Sequence, residues 1–291
     1  MNQTSNDLSC TTFLLGLIGR GIEKSRTPAL HEAEADRQNL RCIYKILDVD
    51  KMPEGTSLAQ ILESAELMGF AGCNITFPFK VEVIALLDEL DENAKAVGAV
   101  NTVVFRNGRR IGYNTDHSGY SEAFRQGMKA VPRSRVLQIG TGGAGVAVAH
   151  GLADNDVQFL ALVDMDQNRA QELADLLKKN RPNLETKVYA SVNDAVAEGI
   201  NGVVNCTPMG MAKLPGSAFP AELWAADLWA SDIVYFPLET QFLAEARSKG
   251  CRILPGSGMA VYQAVRAFEH FTGQKADANA MSATFKALGA Q

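Results

Sequence analysis

The stretch CNITFPFKVEV, Cys73–Val83, carries a short apolar run broken by Asn74, Thr76 and Lys80, with Pro78 just ahead of the lysine. A lone ammonium at the end of a strand-like run can move a proton in a cleft. It can equally be a solvated lysine at the start of a helix, and this stretch by itself admits both. A second polar concentration lies in VNTVVFRNGRRIGYNTD. Asn107-Gly108 between two β-prone runs is a two-residue hairpin signal. In that register Asn101 lies across from Asn114 and Thr102 across from Tyr113, with Asp116 just past the open end. The hairpin gathers Asn101, Asn114, Thr115 and Asp116 at one edge, although such residues are also common at strand ends for conformational reasons alone.

The third candidate is RVLQIGTGGAGVAVAHGLADND, a strand, a Gly-rich turn and a helix. Gly140, Gly142 and Gly145 match G-x-G-x-x-G, which permits a tight turn and lets backbone N–H groups approach a pyrophosphate at a helix N-terminus. Gly143 and Ala144 add room. A following strand, QFLALVD, ends at Asp164, 19 residues after Gly145, close to the spacing at which an acidic residue meets the adenosine ribose. A carboxylate there accepts from ribose hydroxyls and repels a 2′-phosphate. Asp166 adds like charge, so NAD is favoured over NADP, although Arg169, five residues after Asp164 on the expected helix, lies within reach of a phosphate. VVNCTPMGM, Val203–Met211, is a further strand running into a Pro/Gly loop, placed either to flank a nicotinamide or to serve as a plain turn.

To position these groups the chain alternates strand-like runs with amphipathic runs of period near 3.6. That pattern indicates α/β architecture with mostly parallel sheets. Strands are expected at Phe13–Gly19, Cys42–Val49, Ala71–Phe77, Asn101–Arg106, Arg110–Asn114, Arg135–Gly140, Gln158–Asp164, Thr186–Ala190, Gly202–Thr207, Asp232–Tyr235 and Cys251–Leu254. A helix is expected from KVEVIALLDEL, and another with Thr27 as N-cap and Pro28 at its first position. The 291 residues suit two domains, with a boundary near Gly119. A net charge of −5 argues against a general binder of nucleic acid or anionic membranes. No apolar run approaches the ~18 residues of a membrane span. The first residues lack a basic n-region, so no signal peptide is expected. Cys10, Cys42, Cys73, Cys206 and Cys251 form no CxxC pair, which suits reduced thiols in a cytoplasm. His31, His117, His150 and His270 show no metal-ligand spacing, and no metal is expected.

Taken together, GLIGRGIEKSRTPALHEAE, NITFPFK, GAVNTVV, GYNTDHSGY, GTGGAG, NCTPMGM and IVYFPLETQFLAEARSKGCRILPGSGMAVYQAVRAFEHFTG resemble, in order and over nearly the whole chain, the shikimate/quinate dehydrogenase family. The resemblance implies an N-terminal α/β substrate domain, 1–118 completed by helices at 258–291, and a Rossmann-type doubly wound parallel-sheet cofactor domain, 119–257. It implies that Ser25 and Thr27 hold a substrate carboxylate, and that Thr76, Asn101, Asp116 and Gln263 bind ring hydroxyls. Lys80 and Asp116 would be the catalytic pair, and Tyr235 would lie near the carboxylate side. Thr207 and Met209 would flank the nicotinamide, with Gly258 and Met259 beside substrate and nicotinamide. Two departures point to a catabolic, NAD-linked quinate/shikimate dehydrogenase. Ser25-Arg26-Thr27 replaces the usual Ser-x-Ser, and Asp164-Met165-Asp166 replaces the Asn-Arg-Thr of NADP-type members. Lys24 also stands where the family carries a histidine.

Such an enzyme removes a hydroxyl proton while hydride leaves the same carbon. An ordinary ammonium, with pKa about 10.4, is a poor base, so Lys80 and Asp116 are expected to act as one coupled acid–base unit. The expected partner is a hydroxylated cyclohexane or cyclohexene carboxylate, on a monomer or homodimer located in the cytoplasm. The rival expectations are an NADP-dependent biosynthetic shikimate or aminoshikimate-type dehydrogenase, and a non-catalytic sensor of quinate or NAD.

Overall fold

The computed structural model describes residues 11–289; residues 1–10, which include Cys10 and the stretch searched for a leader, lie outside the described residues. The chain falls into two compact units, Met1–Thr115 with Ala264–Gln291, and Asp116–Gln263. These boundaries, 115/116 and 263/264, compare with the expected 118/119 and 257/258, and both fall within helices.

The first unit contains β1 (Thr12–Gly19), α1 (Thr27–Arg37), β2 (Arg41–Asp48), α2 (Leu58–Leu67), β3 (Gly72–Ile75), β4 (Glu89–Leu90), α3 (Glu92–Val97), β5 (Thr102–Arg106) and β6 (Arg109–Tyr113). Local chemistry sets several ends. Ser57 and Gln60 form a capping box on α2, and Asp91 caps α3, which stops at Gly98 with φ +69. The sheet order is β2-β1-β3-β5-β6-β4. β1 runs parallel to β2 and β3, while β5 runs antiparallel to both of its neighbours, β3 and β6. The ends of β1 and β3 and the start of β5 therefore share one edge. Asn107 (φ +54) and Gly108 (φ +70) make the tight hairpin and set Thr102 opposite Tyr113, as expected. One face of the sheet is closed by Ile18, Leu62, Ile75 and Val103, the other by Leu15, Tyr44, Ala267 and Phe271.

The second unit contains α4 (Thr115–Gly127, whose first residue belongs to the first unit), β7 (Arg135–Ile139), α5 (Gly143–Ala153), β8 (Phe159–Val163), α6 (Gln167–Asn180), β9 (Glu185–Val188), α7 (Val192–Ala197), β10 (Gly202–Asn205), β11 (Trp229–Asp232), α8 (Gln241–Ser248) and β12 (Arg252–Leu254). α9 (Ser257–Thr272) is divided between the units, and α10 (Ala278–Gly289) belongs to the first, where it packs on α1. The sheet is wholly parallel in the order β12-β11-β10-β7-β8-β9, doubly wound about β7. Its inner strands are buried on both faces, so β8 reads as an unbroken apolar run, FLALV. Trp229 anchors one core cluster and Trp224 the other.

Three expectations are corrected. No α-helix follows Lys80: a single 3-10 turn spans Glu82–Leu86, after which Leu87 is extended and Asp88 N–H donates to Arg110 O at 2.9 Å. The β-branched Val83 and Ile84 and the immediate entry into β4 leave no room for i→i+4 bonds to propagate. The strand expected at Asp232–Tyr235 lies at Trp229–Asp232, because the Asp232 carboxylate accepts from Val234 N–H at 2.9 Å and turns the chain out of the ladder. The N-cap of α1 is Arg26, in a helical conformation without a side-chain cap, so Thr27 is the first helical residue.

Candidate functional site

In the first unit the expected substrate residues follow the shared sheet edge. The loop after β1 is held by Asp48, whose carboxylate accepts from Gly21 N–H (3.0 Å) and Ile22 N–H (2.8 Å). That loop delivers Ser25 and Thr27, whose hydroxyls hydrogen-bond each other at 3.1 Å. Thr76 leaves β3 with its N–H on Ile18 O at 3.0 Å, and its methyl lies against Gly19, where any Cβ would collide with it. The Lys80 carbonyl accepts from Val100 N–H at 2.8 Å, which fixes the lysine backbone beside Asn101.

Asn101 sits in a buried polar chain that sequence reasoning missed. Tyr44 Oη donates to Asn74 Oδ1 (2.7 Å), Asn74 Nδ2 donates to Thr102 Oγ1 (2.9 Å), and Thr102 Oγ1 donates to Asn101 Oδ1 (3.1 Å). Thr115 N–H completes it by donating to Asn101 Oδ1 at 2.8 Å. Asn114, by contrast, spends its amide on Ala99 O at 2.9 Å. No spacing rule links positions 44, 74 and 102; only the sheet register does, with Asn74 paired to Thr102.

In the second unit Asp116 is buried in the first turn of α4. The next residue, His117, contacts Asp154 at 2.7 Å, and Arg181 reaches the same carboxylate at 2.9 Å. Burial pushes Asp154 up, but the His117 and Arg181 contacts outweigh it and hold the carboxyl below its usual range. Gly119, one turn after Asp116, packs against α9 so closely that a Cβ there would lie 2.7 Å from Gln263 N. Asp116 and Gln263 are thus brought to one helix crossing. Gly258 lies against Ala123 on the same pair of helices, while Met259 is buried in the core cluster of Trp229. Tyr235 is exposed in the segment after β11.

The Gly-rich turn joins β7 to α5. Gly140 has φ +96 and touches the Cys206 backbone, so it admits no side chain. Gln138, another residue the sequence did not single out, holds the turn from beneath: its Nε2 donates to Gly140 O and Gly145 O, each at 2.9 Å. α5 has Gly142 as N-cap with no side chain on its first N–H groups, and Cβ atoms added at Gly142 or Gly143 would meet nothing within 4 Å. Open space over free helix donors fits a dinucleotide pyrophosphate. A cavity of about 450 Å³ adjoins it, lined by Thr141, Gly142, Val146, Arg169, Glu172 and Leu173 among others. Bonded to Thr141 of this lining, Asp164 Oδ2 accepts from Thr141 N–H (2.7 Å) and Thr141 Oγ1 (2.8 Å), and Oδ1 accepts from Asp166 N–H (2.9 Å). Partial burial raises this carboxyl, but those donors and the nearby Arg169 prevail and keep it below its ordinary value. It is an anion positioned to accept from a diol.

At the same sheet edge, Asn205 ends β10 in register with Ile139 of β7. Its Oδ1 accepts from Thr207 N–H (3.0 Å) and Thr207 Oγ1 (2.7 Å), and its Nδ2 donates to Met209 O and Asp232 Oδ1, each at 3.0 Å. Thr240 Oγ1 donates to the other Asp232 oxygen at 2.6 Å. Burial pushes Asp232 up to about 6. Asn205 therefore holds both Thr207, whose methyl lies by Gly140, and the Met209 backbone. Among the described residues there is no cluster of three or more potential metal ligands. No helix among them is long and apolar enough to cross a membrane.

Known proteins share this architecture. The shikimate dehydrogenase substrate binding domain family matches residues 17–103, and the shikimate 5′-dehydrogenase C-terminal domain family matches residues 256–284. A quinate/shikimate dehydrogenase (NAD(+)) of Corynebacterium efficiens is 44% identical over 281 residues, covering 95% of this chain and 99% of its own. A shikimate dehydrogenase (NADP(+)) of Streptomyces avermitilis is likewise 44% identical, over 95% of this chain and 96% of its own. The structure of a quinate dehydrogenase from Corynebacterium glutamicum in complex with NAD superposes with a TM-score of 0.91 at 42% identity, over 95% of this chain and 99% of that one. With identity of this order running end to end, and both units matched along with the sequence, the chain belongs to the shikimate/quinate dehydrogenase family.

Proposed function

We propose that this protein is an NAD-dependent quinate/shikimate dehydrogenase, interconverting the ring C3 hydroxyl of quinate or shikimate with the ketone of 3-dehydroquinate or 3-dehydroshikimate. The observation that carries it is the Asp164 carboxylate, clamped by Thr141 and Asp166 beside the Gly-rich turn. An anion there suits the adenosine diol and opposes a 2′-phosphate. The names of the quinate/shikimate relatives support the same cofactor.

When bound, NAD supplies the hydride acceptor at its nicotinamide ring. The chain does the rest. The Gly142–Gly145 N–H groups bind the pyrophosphate, and Arg169 borders the adenosine cavity. Thr207 and Met209, with Gly258 and Met259, border the nicotinamide. The paired hydroxyls of Ser25 and Thr27 donate to the substrate carboxylate, with Tyr235 on that side. Thr76, Asn101 and Gln263 orient the ring hydroxyls. Lys80 and Asp116 take the hydroxyl proton as one unit. The first unit and α10 would form the substrate domain and the second the cofactor domain. The described cysteines, Cys42, Cys73, Cys206 and Cys251, are free thiols, which supports a cytoplasmic enzyme.

The test is initial-rate oxidation of quinate and of shikimate, each with NAD and with NADP. Turnover of quinate with NAD and little with NADP is expected. Turnover of shikimate alone, with NADP alone, would replace this assignment by the biosynthetic one.

A further inference from the structure

Thr141 fills the second position of the Gly-rich turn and is only 2% exposed. Both of its donors end on one oxygen of Asp164, the N–H at 2.7 Å and the hydroxyl at 2.8 Å, and Asp166 N–H takes the other oxygen at 2.9 Å. Arg169, in the first turn of α6, adds its positive charge to the same carboxylate and lines the cavity. Three converging donors beside a guanidinium are what a phosphate monoester dianion needs. Here a side-chain carboxylate occupies them. Asp166 repeats the device one step on, accepting from Asn168 N–H (3.1 Å) and Arg169 N–H (3.3 Å) at the start of α6.

We propose that Thr141 is a specificity-determining positioning residue whose effect changes sign with the charge at position 164. Beside the Asp164 carboxylate it fixes the acceptor for the ribose diol of NAD. Once that carboxylate is removed, the same two donors face the 2′-phosphate of NADP. The masked donors explain how one side chain can both attract a diol and abolish a phosphate site: a 2′-phosphate arriving at Asp164 meets a negative charge and finds the local N–H and O–H groups already spent. The proposal rests on the NAD assignment above and extends it to a residue that never carries charge.

The experiment is a double-substitution cycle of Thr141→Val and Asp164→Ser, with Thr141→Ser as the conservative control. NAD and NADP affinities are measured by calorimetry, alongside KM and kcat. In the wild-type background Thr141→Val should weaken NAD binding about ten- to hundredfold, the scale of one hydrogen bond to a charged group. The loss should appear in KM rather than kcat, and Thr141→Ser should restore most of it. In the Asp164→Ser background NADP binding should become measurable, and Thr141→Val should then weaken NADP about three- to tenfold while sparing NAD. Equal factors for both cofactors in both backgrounds, or no change, would overturn the proposal and leave Thr141 a loop scaffold. If the valine variant fails to fold, Thr141→Ala runs the same cycle. Failure of the NAD assignment has a separate mark, a wild-type protein that binds NADP as well as NAD; the cross-background reversal still decides the role of Thr141.

Discussion

The proton-transfer role proposed for Lys80 requires a residue that is held still, and the chain holds Lys80 by its main chain, with its carbonyl on Val100 N–H at 2.8 Å. The short 3-10 turn after it supplies no helix dipole of consequence, so positioning rather than a helix field is what the local backbone contributes. Replacing Lys80 with Ala should lower kcat by about 10²–10⁴, the range of a positioned general acid–base. The NAD dissociation constant, read by titration of the cofactor alone, should stay put. An equal loss in both would move Lys80 out of the proton-transfer role. At this scale the sequence showed the residues that stand in motifs and hid those that support them. Thr141 and Asp164 are 23 positions apart and Tyr44 and Asn74 are 30 apart, and each pair meets only because strands bring them together. A threonine inside a Gly-rich turn carries no periodic signal of its own.

Elements were legible where a local rule fixes them. Asn107-Gly108 dictated a hairpin and its register, and the G-x-G-x-x-G spacing dictated a strand–turn–helix. They were misread where side chains override propensity. The Asp232–Val234 bond ends β11 early although Ile233 and Val234 favour strand, and the run after Lys80 was read as a helix although its β-branched Val83 and Ile84 oppose one. Gln138 is the corresponding hidden support in the cofactor unit: a polar side chain fully buried in β7 that joins both ends of the turn. Gln138→Leu should therefore weaken NAD binding about three- to thirtyfold, since two buried carbonyls lose a donor. Calorimetry on the purified variant measures it. An unchanged affinity would show that the turn keeps its shape without the latch.

Over the whole chain, the alternation of strands and helices announced two α/β units, but their acid sensitivity follows from burial that no sequence displays. His31 is fully buried among Tyr44, Phe268 and Phe271, and desolvation lowers it to about 3; His270 is lowered to about 4 for the same reason. Both folded values lie below the ordinary 6.5, so below that pH the unfolded chain binds more protons and stability falls with acid. For His31 the slope is ~1.4 kcal/mol per pH unit between about 6.5 and 4. In the second unit burial also lowers His150, but Asp232, raised to about 6, works the other way and gains stability as pH falls through 6. The first unit should therefore weaken first between pH 6.5 and 4.5, and His31→Phe should flatten the trend in urea titrations at stepped pH. A pH-independent unfolding midpoint in the wild type would refute this.

Trp224 and Trp229, the chain's two tryptophans, both lie in the second unit, one in each core cluster. The molecule thus carries an intrinsic optical label on one half only. Its indole emission reports the nucleotide-binding half alone, and any lag of that emission behind the far-ultraviolet dichroism during acidification is a label-free record of the other half melting.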